Sequence, residues 1–258
     1  MSVYIQNFLK FRPLLEELVS RDVKIKYRNS VLGVLWTLLN PLLMMTVLSV
    51  VFSNLFKFDI ENFPLYLLSG QILFNFFNDA TTNAMSAIIS NAALLKKIYV
   101  PKYMFVLSRV FSSFINLMAS CSALMIIMVV TRAELNWTIL LAPVPLMLLV
   151  LMSLGIGMIL SAIVVKFRDV MHLYSVLMTV LFYLTPVIYP TSILPEWLSK
   201  LVMLNPLTNI IIMFRDLVLY NRMFNGVSFF IVLAETILFL GGGIYIFYKK
   251  QDDFILNL

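Results

Sequence analysis

Long apolar stretches alternate with short polar connectors along the whole chain. A helix that crosses the hydrocarbon core of a bilayer needs about 20 mostly apolar residues. Six stretches reach that length, at roughly 31–56, 64–84, 103–130, 138–165, 171–190 and 226–248. The first contains Asn40-Pro41, where the missing backbone hydrogen bond predicts a kink. The pattern therefore predicts an all-α membrane protein with six transmembrane helices in one domain, 31–258.

Residues 1–30 precede these spans and have an amphipathic pattern. Pro13 suits the first turn of a helix, and Glu16 and Glu17 follow where the helix dipole favours acidic side chains. The apolar stripe consists of Leu14, Leu15, Leu18 and Val19, and the basic cluster after it consists of Arg21, Lys24, Lys26 and Arg28. Together they predict an N-terminal amphipathic helix at the membrane interface. A solvated basic leader is the alternative.

The stretch 193–220 is apolar but interrupted. Pro195 and Asn205-Pro206 break it, and the charged pair Arg215-Asp216 lies near its end. Irregular backbone is tolerated at membrane depth only where protein or water covers it. We therefore expect two short helices that enter the outer leaflet and return, forming a re-entrant helical hairpin before the last span.

Composition and charge support a protein that lies almost entirely in the bilayer. The chain is 61% hydrophobic and 12% charged, whereas a soluble domain is about half apolar and a quarter charged. The net charge of +6 is attributed to membrane topology and not to nucleic-acid binding. With the N-terminus inside, fourteen Lys and Arg residues face the cytoplasm and five face outward. Both termini are therefore predicted to be cytoplasmic.

Residues suited to catalysis or metal binding are scarce. The single Cys121 and the single His172 supply neither a disulfide framework nor a metal cluster. The sequence has no Gly-x-x-x-x-Gly-Lys-Ser/Thr loop for nucleotide phosphates. We expect the chain to be no enzyme by itself and to bind no cofactor, so that any ATP and Mg²⁺ belong to a partner subunit.

Charged residues within the spans are candidate functional sites, because they are expensive in hydrocarbon. Asp79 and Arg109 lie at similar depths in the second and third spans, which predicts an intramembrane ion pair. A salt bridge that holds the two helices together is one interpretation, and a proton relay is the other. Glu235 lies near the middle of the last span, and Arg215 is its predicted partner.

The connector 86–102 predicts a short amphipathic cytoplasmic helix over 86–99. An apolar face recurs at helical spacing, a basic pair closes the last turn, and a proline follows. These positions are Ile88, Ala92 and Leu95 for the face, Lys96 and Lys97 for the pair, and Pro101 for the stop. Such a helix fits a groove on a partner protein, or it lies on the lipid surface.

Aromatic residues are dense in the predicted outer half of the spans. They are Tyr66, Phe74, Phe76, Phe77, Phe182, Tyr183 and Tyr189. Interfacial anchoring and core packing account for such a set. A sugar pathway accounts for it too, because aromatic faces combine apolar area with a polar tip in Tyr.

Small residues mark faces where helices approach one another. Ser153, Gly157 and Ser161 recur every four residues in the fourth span, which predicts close packing within the chain or at a subunit seam. Gly241-Gly242-Gly243 lies within the last span, where close helix packing is the expected role and phosphate binding is not.

Four segments follow one another in an order and spacing that are fairly specific in combination. They are Arg21 to Trp36 with Asn40-Pro41; Asn91 to Lys102; Phe167-Arg168-Asp169; and Thr185 to Tyr189 with Leu194-Pro195 and Asn205-Pro206-Leu207. Together they cover almost the whole length. In this arrangement the chain resembles the membrane subunits of ABC-type polysaccharide exporters, which move O-antigen, capsule, teichoic acid or similar lipid-linked glycans.

The resemblance implies a permease of a bacterial inner membrane, assembled as a homodimer of six-span subunits with two ABC ATPase subunits beneath. A coupling helix over 86–99 would receive the ATPase stroke, with Ile88, Asn91, Ala92, Leu95, Lys96 and Lys97 as the contact residues. A cytoplasmic gate near the lipid-linked pyrophosphate would use Arg21, Lys24, Lys26, Tyr27 and Arg28. The glycan channel would be lined by Trp36, Phe182, Tyr183 and Tyr189. External gate helices over 193–220 would use Pro195, Trp197, Asn205 and Pro206.

Three alternative functions remain beside this expectation. Relatives that export drugs or small lipids share the fold. A proton-driven secondary transporter is another class, although the scarcity of carboxylates and His within the spans counts against it. A scaffold or assembly subunit that transports nothing is the third.

Overall fold

The protein is built of helices joined by short connectors. The computed structural model describes residues 3–28, 30, 32–56, 60 and 62–257, and within these residues it holds no strand. The helices are α1 (Val3–Tyr27), α2 (Trp36–Phe56), α3 (Phe63–Ser90), α4 (Ala92–Leu95), α5 (Tyr103–Val130), α6 (Pro143–Val164), α7 (Val170–Leu184), α8 (Glu196–Met203), α9 (Pro206–Val218), α10 (Gly226–Lys250) and α11 (Phe254–Asn257). Short 3₁₀ turns at Gly33–Leu35, Trp137–Leu141, Thr191–Ile193 and Gln251–Asp253 lie between or at the ends of these helices. The predicted all-α fold is confirmed.

Three helical segments are long and apolar enough to cross a membrane within the described residues. They are Tyr103–Val130, Trp137–Val164 and Gly226–Asp253. Together, α8 and α9 count as a fourth if a bend of 90° between them is allowed. Shorter apolar segments lie at Trp36–Phe52 and Val170–Leu184. The predicted number of six spans therefore stays a prediction.

The central helix of the bundle is α3, which packs against α2, α5, α6, α7 and α9. The Asn62 side chain caps its first turn by accepting a hydrogen bond from the Leu65 amide at 3.4 Å. Apolar positions such as Leu67 and Leu73 are fully buried. Polar residues interrupt the apolar sequence of α3, and its neighbours bury three of them, Ser69, Gln71 and Thr81. Burial of these residues beside the apolar positions lets a helix of modest hydropathy lie in the middle of the protein.

The N-terminal helix α1 is longer than the sequence predicted. It begins at Val3, so Pro13 lies in the helix interior and not in its first turn as predicted. The upstream residues continue the helix, and the one backbone hydrogen bond that Pro13 cannot donate does not end it. Leu15 and Leu18 of the predicted apolar stripe are buried in a cluster with residues of α5. The stripe therefore packs on protein, and the position of α1 relative to a membrane stays a prediction.

The small residues pack helices of the same chain together. A β-carbon built at Gly243 would lie under 3.0 Å from the Gly155 carbonyl oxygen, and one built at Gly155 would clash with the backbone of Phe239. This contact joins α10 to α6. A β-carbon at Gly157 would lie 2.6 Å from the β-carbon of Ala84 in α3. Close packing within the chain, one of the two roles predicted for the small residues, is thus confirmed at Gly157.

Candidate functional site

A polar cavity of about 420 Å³ lies between four helices, α1, α2, α3 and α5. Its lining is Lys26 from α1; Trp36, Thr37, Asn40 and Pro41 from α2; Ile72, Asn75, Phe76 and Asp79 from α3; and Ser113, Asn116, Leu117 and Ser120 from α5. The contributions of α3 and α5 both follow the spacing i, i+3, i+4, i+7, which is one face of a helix. The Ser120 hydroxyl donates to the Thr37 carbonyl at 3.4 Å and ties α5 to α2 beside the cavity.

Most of the polar residues of this cavity were not predicted from the sequence. Lys26, Trp36, Phe76 and Asp79 were singled out, and Asn40-Pro41 was named as a kink, but Asn75, Asn116 and the hydroxyl residues were not. A signal was available, because polar residues recur at helical spacing within otherwise apolar spans. Asn75 and Asp79 are four residues apart, and the polar residues of α5 lie at 113, 116 and 120.

The predicted ion pair between Asp79 and Arg109 is wrong. The Asp79 carboxylate lies 3.8 Å from the Lys26 ammonium, and Arg109 lies 3.3 Å from the Asp22 carboxylate. Both partners come from α1, which lies against α5 and brings its own acid and base to the two helices. Two ion pairs therefore anchor the C-terminal half of α1 to α3 and α5.

Some residues of the basic cluster predicted to form a gate in α1 contact other side chains, and others are exposed. Arg21 donates to Asp22 at 3.0 Å and to the Asn91 amide oxygen at 3.2 Å, which ties α1 to the end of α3. Lys26 is engaged with Asp79, whereas Lys24 and Arg28 are exposed. The side chain of Tyr27 lies outside the described part of the structure. The role of this cluster at a gate stays a prediction.

The four predicted channel residues occupy three different places. Phe182 contacts two rings edge-on, with ring centroids 5.1 Å apart for Phe74 and 5.5 Å apart for Tyr183. All three rings line a cleft of about 380 Å³ between α3 and α7, here called the aromatic cleft. Its other lining residues are Asn78, Thr82, Ser175, Met178 and Thr179. Trp36 lines the polar cavity instead. The Tyr189 hydroxyl lies 2.8 Å from the Tyr183 carbonyl, so Tyr189 closes the end of α7.

Arg215 is buried and has no acidic partner among the described residues. Its guanidinium donates to the carbonyls of Pro186 at 2.7 Å, Tyr66 at 2.9 Å and Val187 at 3.0 Å. It also lies over the Tyr66 ring, 3.4 Å from the centroid. Since the chain after α7 is not helical, its carbonyls need an outside donor, and Arg215 supplies it.

The predicted pairing of Glu235 with Arg215 is therefore wrong. The Glu235 Oε2 atom is buried without a hydrogen-bond partner in the part of the chain that the structure describes. The neighbouring Asp216 pairs with Arg222 at 2.7 Å. The prediction failed because the guanidinium is already satisfied by carbonyl oxygens at the end of α7.

The segment predicted as a re-entrant hairpin forms two short helices, α8 and α9. Asn205 makes the bend: its side-chain oxygen accepts from the Leu207 amide at 3.1 Å, and its nitrogen donates to Thr185 at 3.0 Å. Pro206 occupies the first turn of α9, where its missing N–H costs nothing. Pro195 precedes α8, and the Trp197 side chain is exposed. The break into two helices is confirmed, and the membrane depth of both helices stays a prediction.

The predicted separate helix over 86–99 is wrong. The central helix α3 continues to Ser90, and only the single turn α4 follows. Ile88 and Leu95 are buried in the cluster that also holds Leu15 and Leu18, so their apolar face covers the protein's own core. Asn91 is buried too, and its amide donates to the Ala87 carbonyl at 2.8 Å.

The longest exposed run of this connector is the four-residue tip after α4. Lys96 and Lys97 are exposed, as are the apolar side chains of Ile98 and Tyr99, of which Tyr99 is 91% exposed. A partner protein on this side of the molecule would meet the tip 96–99. It would not meet Ile88, Asn91 or Leu95.

Helices long and apolar enough to cross a membrane, with a polar cavity enclosed between neighbouring helices, are typical of a helical membrane protein. The chain belongs to the ABC-2 type transporter family, whose model matches residues 13–219. It is 29% identical over 252 residues to the O-antigen export system permease protein RfbA of Myxococcus xanthus, with 97% of each chain covered. It is 28% identical over 248 residues to the protein of the same name from Klebsiella pneumoniae, with 93% of each covered.

A further relative is the polysialic acid transport protein KpsM of Escherichia coli, 25% identical over 256 residues, with 94% of this chain and 95% of the relative covered. The family expected from the four sequence segments is confirmed.

Proposed function

We propose that this protein is the permease subunit of an ATP-driven exporter that carries a lipid-linked polysaccharide out of the cytoplasm. The observation that carries the proposal is similarity over nearly the whole chain to proteins named for O-antigen export and polysialic acid transport. The sequence holds no nucleotide-binding loop, so the proposal assigns ATP and Mg²⁺ to a separate ABC ATPase, present in two copies.

In this proposal the chain crosses a bacterial inner membrane six times, with both termini in the cytoplasm. The spans are α2, α3, α5, α6, α7 and α10, and α8 and α9 form the external re-entrant hairpin. The 15 residues of α7 rise only about 22 Å, less than the roughly 30 Å of hydrocarbon. The non-helical chain 185–188 would complete that crossing, which is supported by its burial and by the donors that Arg215 supplies.

The transport step is assigned to two copies of the chain acting together. ATP binding would bring the two ATPases together and push on the tips 96–99, which α3 and α4 brace from behind. That movement would open a path between the two copies, and the polymer would advance along the aromatic clefts. Aromatic faces hold a sugar chain without fixing it in one position.

The test is affinity purification of the tagged protein from its native membrane in mild detergent, followed by mass spectrometry and reconstitution into vesicles. We expect stoichiometric recovery of an ATPase with a phosphate-binding loop, and ATP-dependent movement of polysaccharide that persists when the proton gradient is collapsed. Recovery of the chain alone in several detergents would contradict the proposal. Movement that needs the gradient and not ATP would favour the proton-driven alternative, and movement of drugs or small lipids would favour that branch of the family.

A further inference from the structure

The polar cavity has properties that packing does not explain. Within the described part of the chain, the side-chain amides of Asn40 and Asn75 have no hydrogen-bond partner in the protein, and both side chains are exposed to the cavity side of their helices. Asn40 follows Trp36 by one turn in α2, and Asn75 precedes Asp79 by one turn in α3. Both side chains are exposed, so their amide donors and acceptors stay available to a molecule that enters the cavity. The two amides therefore give the cavity hydrogen-bonding groups that the protein does not use for its own packing.

The chemistry of the lining fits a neutral ligand rich in hydroxyl groups. Lys26 and Asp79 compensate each other's charge at 3.8 Å, yet both side chains are nearly half exposed, 48% and 47%, and keep free hydrogen-bonding capacity. The other polar groups are three amides and three hydroxyls, each of which both donates and accepts. Trp36 and Phe76 add apolar surface, which suits the C–H face of a sugar ring. The volume lies within the about 300–1,000 Å³ of small-molecule sites.

We propose that this cavity is a carbohydrate-binding site within a single subunit, in which Asn40, Asn75 and the Lys26–Asp79 pair hold the hydroxyl groups of one sugar unit. The inference rests on the proposed function, because the sugar is a unit of the transported polymer. It assigns to the chain a second sugar-binding surface, since the lining of the polar cavity shares no residue with the aromatic cleft.

Other occupants fit the lining less well. A divalent cation prefers several carboxylate oxygens, and Asp79 is the single carboxylate here, with Lys26 beside it. A phosphate needs uncompensated cations, and Asp79 already neutralises Lys26. A proton relay needs a chain of titratable groups, whereas the remaining polar residues of the lining are amides and hydroxyls.

Trp36 supplies a direct reporter of occupancy. The chain has three tryptophans, and Trp137 and Trp197 are both exposed and distant in sequence from the cavity. A Trp137→Phe, Trp197→Phe background leaves Trp36 as the only indole. Its emission is measured in detergent during titration with methyl glycosides of glucose, galactose, mannose, rhamnose and N-acetylglucosamine, and separately with inorganic pyrophosphate. We expect saturable quenching by at least one glycoside in the millimolar range and none by pyrophosphate.

Two variants test walls of the cavity that come from different helices, α2 and α3, so a folding failure in one leaves the other. Asn75→Leu and Asn40→Leu should each weaken glycoside binding roughly tenfold, because each removes an amide that would donate to and accept from the hydroxyl groups of the glycoside. The matched control is Asn83→Leu, an exposed asparagine two turns along α3 and outside the lining, which should leave the titration unchanged.

The inference is overturned if no glycoside quenches Trp36, if both Leu variants bind like the control, or if pyrophosphate competes with the glycoside. Its failure is distinct from failure of the proposed function. An ATPase that co-purifies and drives polysaccharide export, together with a silent Trp36, would contradict this inference alone. Absence of an ATPase would contradict the proposed function whatever Trp36 reports.

Discussion

Arg215 shows how a buried cation is held without an acid. Three carbonyls and the Tyr66 ring surround it, and two of those carbonyls belong to the non-helical chain after α7. A planar guanidinium meets several acceptors at once, which an ammonium on a flexible stem cannot do. Arg215 therefore joins α9 to both α3 and the end of α7.

Replacing Arg215 with Lys should destabilise the protein by about 2 kcal/mol or more, because at least one buried carbonyl loses its donor. Thermal unfolding in detergent, followed by size-exclusion recovery of the folded protein, measures the change. The matched control is Arg168→Lys in the exposed connector between α6 and α7, which should stay within about 0.5 kcal/mol of the parent. Equal melting of both variants would show that the carbonyl contacts of Arg215 contribute nothing.

The ion pairs show where the sequence could not predict a contact. Hydropathy gives the depth of Asp79 and Arg109 along their helices, and depth alone made them partners. It gives neither the rotation of a helix about its axis nor the position of α1. Once α1 lies on α5, Asp22 and Lys26 are nearer, and each takes one of the two charges.

A pair of double-mutant cycles tests these contacts. Substituting Asp22 and Arg109 by Ala, singly and together, should give a coupling energy of about 0.5–3 kcal/mol in unfolding by SDS in mixed micelles. The same cycle on Asp79 and Arg109 should be additive within about 0.5 kcal/mol, because those residues have different partners. The reverse ranking of the two couplings would restore the pair that was predicted from the sequence.

At the level of helices, the sequence predicted correctly those helix ends that neighbouring residues in the chain determine. Prolines and capping residues placed the break between α8 and α9 correctly, since Asn205-Pro206 ends one helix and starts the next whatever surrounds it. The amphipathic connector was placed wrongly. Ile88 and Leu95 show an apolar face, but periodicity does not tell whether that face meets a partner or the protein's own core. Here it meets the core, and α3 runs on to Ser90.

The contact between α6 and α10 gives a prediction with an internal control. Gly243→Ala places a methyl group against the Gly155 backbone and should cost about 1–3 kcal/mol, because the two helices must separate. Gly241→Ala, two residues away, meets nothing within 4 Å and should be neutral or slightly stabilising, since Ala favours helix over Gly. Thermal unfolding of both variants in the same detergent compares them. A Gly241 variant as damaged as the Gly243 variant would contradict this packing.

The molecule as a whole places α3, the least apolar of its six predicted spans, at the centre, where more apolar spans pack against it. Sequence periodicity, charge and motif order were enough for the helical class and the family. They did not reveal the polar cavity, because its residues come from four helices and meet only through packing. The same arrangement separates two kinds of surface, the polar cavity between four helices and the exposed tip at 96–99.

That tip carries the last prediction, which concerns assembly with the ATPase. The double variant Lys96→Glu, Lys97→Glu reverses two exposed charges on the tip and should reduce recovery of the ATPase with the tagged permease several-fold, because charge complementarity at an interface is replaced by repulsion. The matched control is Lys249→Glu, Lys250→Glu at the end of α10.

That control pair lies at the same end of the molecule as the tip, since Phe247 and Leu95 share one hydrophobic cluster. Both variants should melt like the parent, because all four lysines are exposed. Equal ATPase recovery with the two variants would show that the tip is not part of the interface. Selective loss with the tip variant would place the contact at 96–99. It would also explain why Ile88 and Leu95 stay buried while the complex forms.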